Sequence, residues 1–488
     1  MRKKFLRRLR AQPAAVFLLV ILCSVAAVLS AEGAYRLTLF VQARAGSRPG
    51  VFELYAVGDS SMLGLPFSIS PPEIVSMLFS GRFAGRELRV LNLAEGGNSM
   101  YTQALKALRT LKYRDKKNPA VVLIYGGHAE NISVLSRRRP LFLRLCETFK
   151  RRILLHSFLF SRIVFSLERT FLFYGIRDLD HYEFYLRKTI EAALKSGALP
   201  VIATLGSNIE QEPSVNNYNV MTAGEVGKGF RAESRGEYAK ALAQYTGLYE
   251  GLSPADYLRP YLAYRIGRCL EFMGDAAAAR VRFLEVLEND PFPLRAKPSQ
   301  NAIIRRLAGE YSIPLVDAEK MFAEHSAGGF PGEESFMDLM HPNAAGYLLL
   351  ARAFADRLAT LFRDTIRNDI HDPAVIFDSP GGDSLSRAGP YLCAGACLLW
   401  SSQSAVPVPD CLKLAEKNFR TAMSISGGDY RARVGLRIAV LSKKNQYVIP
   451  EEVYNWFQTK RPHYVFRRPM SNKEYEEADA FLAGWEKP

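Results

Sequence analysis

Cysteine is scarce and does not organise this chain. Six occur in 488 residues: Cys23, Cys146, Cys269, Cys393, Cys397 and Cys411. Cys23 falls in an apolar run, leaving an odd number, so no disulfide framework is legible. Cys393 and Cys397 are four apart and would share one face of a helix. The plain reading of these thiols is small buried hydrophobes; a bridge from Cys397 or Cys393 to Cys411 is the alternative in an oxidising compartment. Nowhere do Cys and His fall at metal-ligand spacing, and His128-Ala129-Glu130 is no zinc motif, so neither a metal nor a cofactor is expected. The net charge of +15 invites a nucleic-acid reading. Zinc-finger spacing, a ribonucleoprotein aromatic motif and a recognisable helix-turn-helix are all missing, which excludes the common routes to it.

The positive charge is instead unevenly placed. Six of the first ten residues are Lys or Arg, and residues 13–31 then carry no charge at all. Roughly 20 apolar residues span a bilayer core, and basic residues before a span hold that end inside. The expectation is a cytoplasmic leader (1–12), an uncleaved single span (13–31) and residues 32–488 outside the cytoplasm. A cleaved signal peptide is the rival, with Leu29-Ser30-Ala31 a poor cleavage site.

Residues 32–50 read as a spacer. Apolar runs rich in β-branched and aromatic residues follow at 51–57, 88–93, 119–125, 198–204 and 312–316, as strands buried on both faces require. Helical patterns such as Tyr101–Tyr113 and Asp180–Ser196 intervene. Strands alternating with helices predict an α/β fold: a doubly wound, flavodoxin-like parallel sheet of about five strands, formed by 51–224 and 309–365. The basic, aromatic stretch 132–176 fits either a membrane-surface helix or a wall of the site. Residues 225–308 are too long for a loop. Gly267, Gly274, Ala279, Phe283 and Pro291 there resemble a tetratricopeptide repeat, with a partial copy at Gly229, Gly236, Ala241 and Tyr245, 38 residues earlier from glycine to glycine. Ala415, Phe419 and Ala422 suggest a third copy within a C-terminal helical region, 366–488. The fold therefore carries inserted and C-terminal α-helical repeat-like segments. Tyr464–Pro469 reads as a docked extended segment.

Chemistry concentrates at the ends of the strands. Gly58-Asp59-Ser60 follows the first, and Asp338-Leu339-Met340-His341 lies far downstream. A serine hydroxyl needs a general base within hydrogen-bond reach, and that base needs a third group to orient it. Ser60, His341 and Asp338 are the residue types those roles require. The second strand runs into Gly96-Gly97-Asn98, the third into Gly126-Gly127-His128-Ala129-Glu130-Asn131, and the fourth into Leu205-Gly206-Ser207-Asn208. In open parallel sheets functional groups gather beyond these carboxyl ends.

These blocks resemble the SGNH/GDSL hydrolase superfamily. The resemblance implies Ser60 as nucleophile, Asp338 and His341 as its partners, and an oxyanion hole from the Ser60 and Gly97 N–H groups. Its third oxyanion member, an asparagine side chain, is replaced by Ala129; His128 or Asn131 is the substitute, or the two backbone groups act alone. Asn98, His128, Asn131 and Asn208 are candidate substrate contacts, although Asn208 also suits a turn or helix cap. The whole looks like a bacterial inner-membrane protein whose bulk is periplasmic. The implied activity is a serine esterase or O-acyltransferase acting on an acyl ester of an envelope glycan or lipid. The competing expectation is a hydrolase-fold scaffold whose helical repeats hold a protein partner.

Overall fold

The computed structural model describes residues 13–46, 48–130, 178–213, 220–254, 256–290, 293–377, 384–402, 406–465 and 468–485, with scattered positions between 148 and 163. Its centre is one sheet of β1 (Phe52–Gly58), β2 (Arg82–Phe83), β3 (Arg86–Asn92), β4 (Ala120–Tyr125), β5 (Leu199–Ala203) and β6 (Leu315–Val316). The order is β2-β3-β1-β4-β5-β6. Every neighbouring pair is parallel except β2 with β3. The five parallel strands fall at the five apolar runs, and β2 is additional. Two residues are too few to show an alternation, so β2 leaves no trace in the sequence. Every residue of β1 and of β4 is buried, which is why both read as apolar runs, that of β1 interrupted by the buried Glu53. Each large side chain so buried contributes about 1.5–3 kcal/mol.

The strand order places the site. From β1 the chain steps one way to β3, then returns across β1 to β4 and continues to β5 and β6. Right-handed crossovers put the helices of opposite steps on opposite faces. Accordingly, among the helices α1 (Pro13–Ala45), α2 (Ser60–Leu63), α3 (Pro71–Leu78), α4 (Met100–Lys112), α5 (Leu179–Ser196) and those that follow, α4 packs on α5, and α3 packs on the helix Ala344–Phe362. The direction of winding reverses between β1 and β4, and in open parallel sheets ligands bind beyond the carboxyl ends at such a reversal.

Helix α1 runs unbroken for 33 residues, so most of the expected spacer is helical. Its stretch Leu22–Gln42 is long and apolar enough to cross a membrane. Between β5 and β6, α6 (Val220–Glu233), α7 (Tyr238–Gly251), α8 (Leu258–Phe272) and α9 (Ala276–Asn289) each pack on the next. The 38-residue pattern has a packing cause. A Cβ on Gly229 would lie 2.5 Å from the Tyr245 ring, and one on Gly267 would lie 2.8 Å from the Phe283 ring. Each glycine thus admits an aromatic ring from the following helix. The next helix, α10 (Pro298–Glu310), belongs with the sheet, where it buries Ile304, Leu307 and Ala308.

The C-terminal residues form a separate core around α11 (Ser384–Ser401) and α12 (Pro409–Ser426). Neither Cys393 nor Cys397 is bridged to Cys411. The segment 464–469, read as extended, is in part a short helix, Arg461–Val465. Tyr464 is buried and donates to the Arg431 carbonyl at 2.9 Å. That burial requirement is what an apolar-basic run cannot reveal.

Helix α12 is held to the loop after β5 by a buried carboxylate. Glu212, on the loop after β5, accepts the N–H groups of Asp410 (3.0 Å) and Cys411 (2.8 Å) at the start of α12, and faces Arg265 of α8 at 3.4 Å. Burial, and then the charge of Asp410, push its carboxyl up to about 7. Arg265 in turn bonds Glu233 at 3.0 Å. Removing one member of such a group strands the others without partners. Glu212→Ala is expected to lower unfolding free energy by about 3–5 kcal/mol. Urea denaturation measures this, and a loss under about 1 kcal/mol would deny Glu212 the role.

Candidate active site

The turn after β1 is shaped by contact. A Cβ on Gly58 would lie 2.0 Å from the Tyr125 carbonyl oxygen, so only glycine lets β1 end this close to β4. Asp59 then starts α2. Its Oδ1 accepts from Ser61 N at 3.1 Å, and its Oδ2 accepts from Gly127 N (2.9 Å) and His128 N (2.8 Å). One buried carboxylate thereby fixes the serine turn against the loop after β4. Ser60 is the first residue of α2, where helical bonding leaves its N–H without an intrahelical acceptor.

The distant Asp-x-x-His element closes on this turn. Ser60 Oγ lies 2.8 Å from His341 Nε2, and His341 Nδ1 lies 2.7 Å from Asp338 Oδ2. Asp338 Oδ1 accepts from the backbone N–H of Met340 (2.9 Å) and His341 (2.8 Å). Ser61 Oγ donates to the Met340 carbonyl at 3.2 Å, a second tether between the two elements. Asn343, two residues on, caps the helix Ala344–Phe362 through Gly346 N at 2.9 Å, so the loop ends on a rigid support. Ser60 retains 7 % exposure.

Electrostatics suit proton transfer. Burial alone would raise Asp338, but the His341 charge, its ring hydrogen bond and the two backbone donors bring the carboxyl below its ordinary value. Burial likewise opposes the imidazolium of His341, yet Asp338 holds its pKa above the ordinary one. A base with a raised pKa takes the Ser60 proton more readily.

The other expected residues divide. Gly97 sits at φ +72° on the exposed turn after β3. That turn passes beside Ser60, since a Cβ on Gly96 would be 3.8 Å from Ser60 Cβ. Asn98 lies on the same turn but bonds Glu95, which also pairs with Lys106. Asn208 does not present its amide to solvent. It is fully buried, donates to the Asp338 carbonyl at 3.2 Å and caps its own turn at Glu210 N (3.1 Å). It is a support of the Asp338 loop, as the turn reading allowed. His128, 1 % exposed, accepts from Ala296 N at 3.1 Å through Nδ1. Burial, against the pull of Asp59, lowers its pKa and keeps it neutral. Its Nε2 therefore carries the proton and has no partner among the described residues. Asn131 lies outside the described residues. Among the described residues no group of acidic, His and Cys side chains could hold a metal.

Sequence reasoning assigned no role to Asp59, Asn92 or Gln300. Asn92 Nδ2 donates to the Met62 carbonyl (3.1 Å) while its Oδ1 accepts from Ala94 N (3.0 Å), and Gln300 Nε2 donates to the Gly127 carbonyl (2.8 Å). Asp59 was findable, because a helix-capping residue is signalled by its place before the turn. Asn92 carries a local turn signal in its bond to Ala94 N, but its bond to Met62 and that of Gln300 to Gly127 cross long sequence separations and leave none.

No family model matches the sequence, and no curated protein matches it significantly. Solved structures do align. A member of the lipolytic protein G-D-S-L family from Veillonella parvula is 14% identical over 63% of this chain and 97% of its own, at a TM-score of 0.30. A GDSL-like lipase from Parabacteroides merdae gives 11% identity, 64% and 96% coverage and 0.33. Another from Bacteroides thetaiotaomicron gives 11%, 67% and 98%, and 0.32. At such low identities and scores, the functional reading rests on the geometry of this site.

Proposed function

We propose that this chain is an SGNH-type serine hydrolase or O-acyltransferase acting on an acyl ester of an envelope glycan or lipid. The observation that carries the reading is the continuous Ser60–His341–Asp338 hydrogen-bond chain at 2.8 and 2.7 Å. Ser60 Oγ attacks the ester carbonyl carbon as His341 Nε2 takes its proton. The tetrahedral oxyanion faces the N–H groups of Ser60 and Gly97. The carbonyl re-forms, the C–O bond breaks, and His341 returns the proton to the leaving alcohol. Water then attacks the acyl-enzyme in an esterase, and a sugar hydroxyl does so in an acyltransferase. His341 serves as base and then acid a second time. Labelling by a fluorophosphonate probe tests the reading: wild type should label at Ser60, and absence of labelling would end it.

The pH profile is a second check. His341 must be neutral to act, so kcat/KM for a small ester should climb with pH as its proton leaves. With the pKa raised, the midpoint should fall above about 6.5. An activity already at its plateau at pH 5.5 would contradict this assignment of the base.

In this reading α1 is a retained bacterial inner-membrane anchor with the rest periplasmic. The mature protein should then resist carbonate extraction and keep its N-terminus; a mature N-terminus near Glu32 would instead mean a cleaved signal sequence. The tetratricopeptide-like helices α6–α9 would brace the hydrolase or hold a protein partner.

One observation favours a scaffold without strong catalysis. Ala129 offers no side-chain amide, and the nearby Gly127 and His128 N–H groups are taken up by Asp59. The probe separates the two readings, because a pure scaffold has no need of a reactive serine.

A further inference from the structure

A cavity of about 660 Å³ opens where the C-terminal helices meet the catalytic sheet. That volume is the size of a small-molecule site. Its walls come from three separate parts of the chain. Phe67 and Phe377 approach from the catalytic side, their ring centroids 4.6 Å apart and tilted by 54°. Tyr391 and Thr421 approach from α11 and α12. The third wall is the loop bearing the Asp-x-x-His element: Met337 precedes Asp338, and Asn343 follows His341 by two. Asn418 of α12 donates to the Met337 carbonyl at 3.0 Å, so the cavity and the Asp338 loop share one support.

The lining restricts the ligand. An acyl chain seeks continuous apolar walls, but here half-buried aromatic rings alternate with amides, hydroxyls and charges. The charges cancel. Lys417 pairs with Glu333 at 2.9 Å, and the remaining Arg387 and Asp372 are of opposite sign. A wall of zero net charge gives no preference for an ion. Aromatic faces carry negative quadrupole density that attracts the positive C–H face of a ring, while hydroxyls need the polar groups between them.

We propose that this cavity is a binding subsite for an uncharged saccharide, formed by the docking of α11 and α12 beside the Ser60–His341–Asp338 site. Its binding role stands independently of catalysis. That it holds the glycan whose ester Ser60 attacks, or the sugar hydroxyl that accepts the acyl group, rests on the serine-hydrolase reading. Recognition of the sugar then comes from the C-terminal helices, and acyl chemistry from the sheet.

Calorimetry on the full chain in detergent tests this, with chitotriose and cellotriose as probes. Binding of either is expected in wild type and equally in Ser60→Ala. Phe377→Ala should weaken it at least about tenfold by removing an aromatic platform. Thr421→Trp should do so by filling the space from the half-buried face of α12, and a thermal melt near that of wild type shows that the fold persists. The proposal is overturned if neither sugar binds, or if both variants bind as wild type does. It is also overturned if decanoate occupies the site and the sugars do not, which would make the cavity an acyl pocket. Sugar binding by a protein that never labels with fluorophosphonate would retain the subsite and remove only the catalytic reading.

Discussion

Replacing Ser60 by Ala should lower ester turnover by about a millionfold and abolish labelling by the fluorophosphonate probe. Ser60 Oγ is the atom aligned on His341 Nε2, and no second hydroxyl takes its place. The neighbouring Ser61 is the obvious substitute, but its Oγ is committed to the Met340 carbonyl. Folding should survive, because the turn is held by Gly58, by Asp59 and by the backbone, none of which uses Ser60 Oγ. Asp338→Asn is the companion. An amide there keeps an acceptor for Met340 and His341 N–H, but it presents NH₂ to His341 Nδ1. The ring must then carry its proton on Nε2, where it cannot accept one from Ser60. Turnover should fall by about ten-thousandfold, less than for Ser60→Ala. A Ser60→Ala protein that still labels or hydrolyses would remove the assignment of this serine.

What the sequence made legible follows from the range of each interaction. Strands β1, β4 and β5 were readable because burial on both faces leaves largely apolar runs, and the half-exposed β3 because Leu88, Val90 and Leu91 still cluster at its end. The 38-residue helical pattern was readable because each glycine admits a ring from the next helix, and that constraint repeats with the fold. The Ser60, Asp338 and His341 trio was readable because each sits just past a strand or ahead of a helix cap. What stayed hidden is long-range. Asn208 read either as a substrate contact or as a turn residue, since it lies past a strand; only its bond to the Asp338 carbonyl shows that it supports the loop. Glu212 had no motif, and its function depends on a helix start about two hundred residues away. The same holds for the wall that α11 and α12 add beside the site, which no property of 366–488 announced.

Ala129→Asn should raise activity, by up to about a thousandfold, if the oxyanion hole is short of one donor. A single such donor is worth about 3–4 kcal/mol of transition-state stabilisation. The surrounding geometry favours a gain. Ala129 lies in the short turn His128–Glu130, half-exposed, and directly follows the two residues whose N–H groups Asp59 ties to the serine turn. A side-chain amide there starts from a backbone already fixed relative to Ser60. Among the described residues beside Ala129, the Gly127 and His128 N–H groups do not supply the missing donor. His128 N is spent on Asp59, and His128 Nε2 is buried away from solvent. The gain should appear in kcat with little change in KM, because an oxyanion donor acts on the transition state and not on the bound ester. It should vanish when Ser60→Ala is added, whereas a gain from altered folding or binding would persist in probe-independent measurements. If Ala129→Asn leaves kcat unchanged while wild type labels normally, the two backbone donors already suffice and the hole is complete as it stands. If wild type does not label and the substitution restores nothing, the fold serves as a scaffold, and the hydrogen-bond chain through His341 is a structural inheritance without catalytic use.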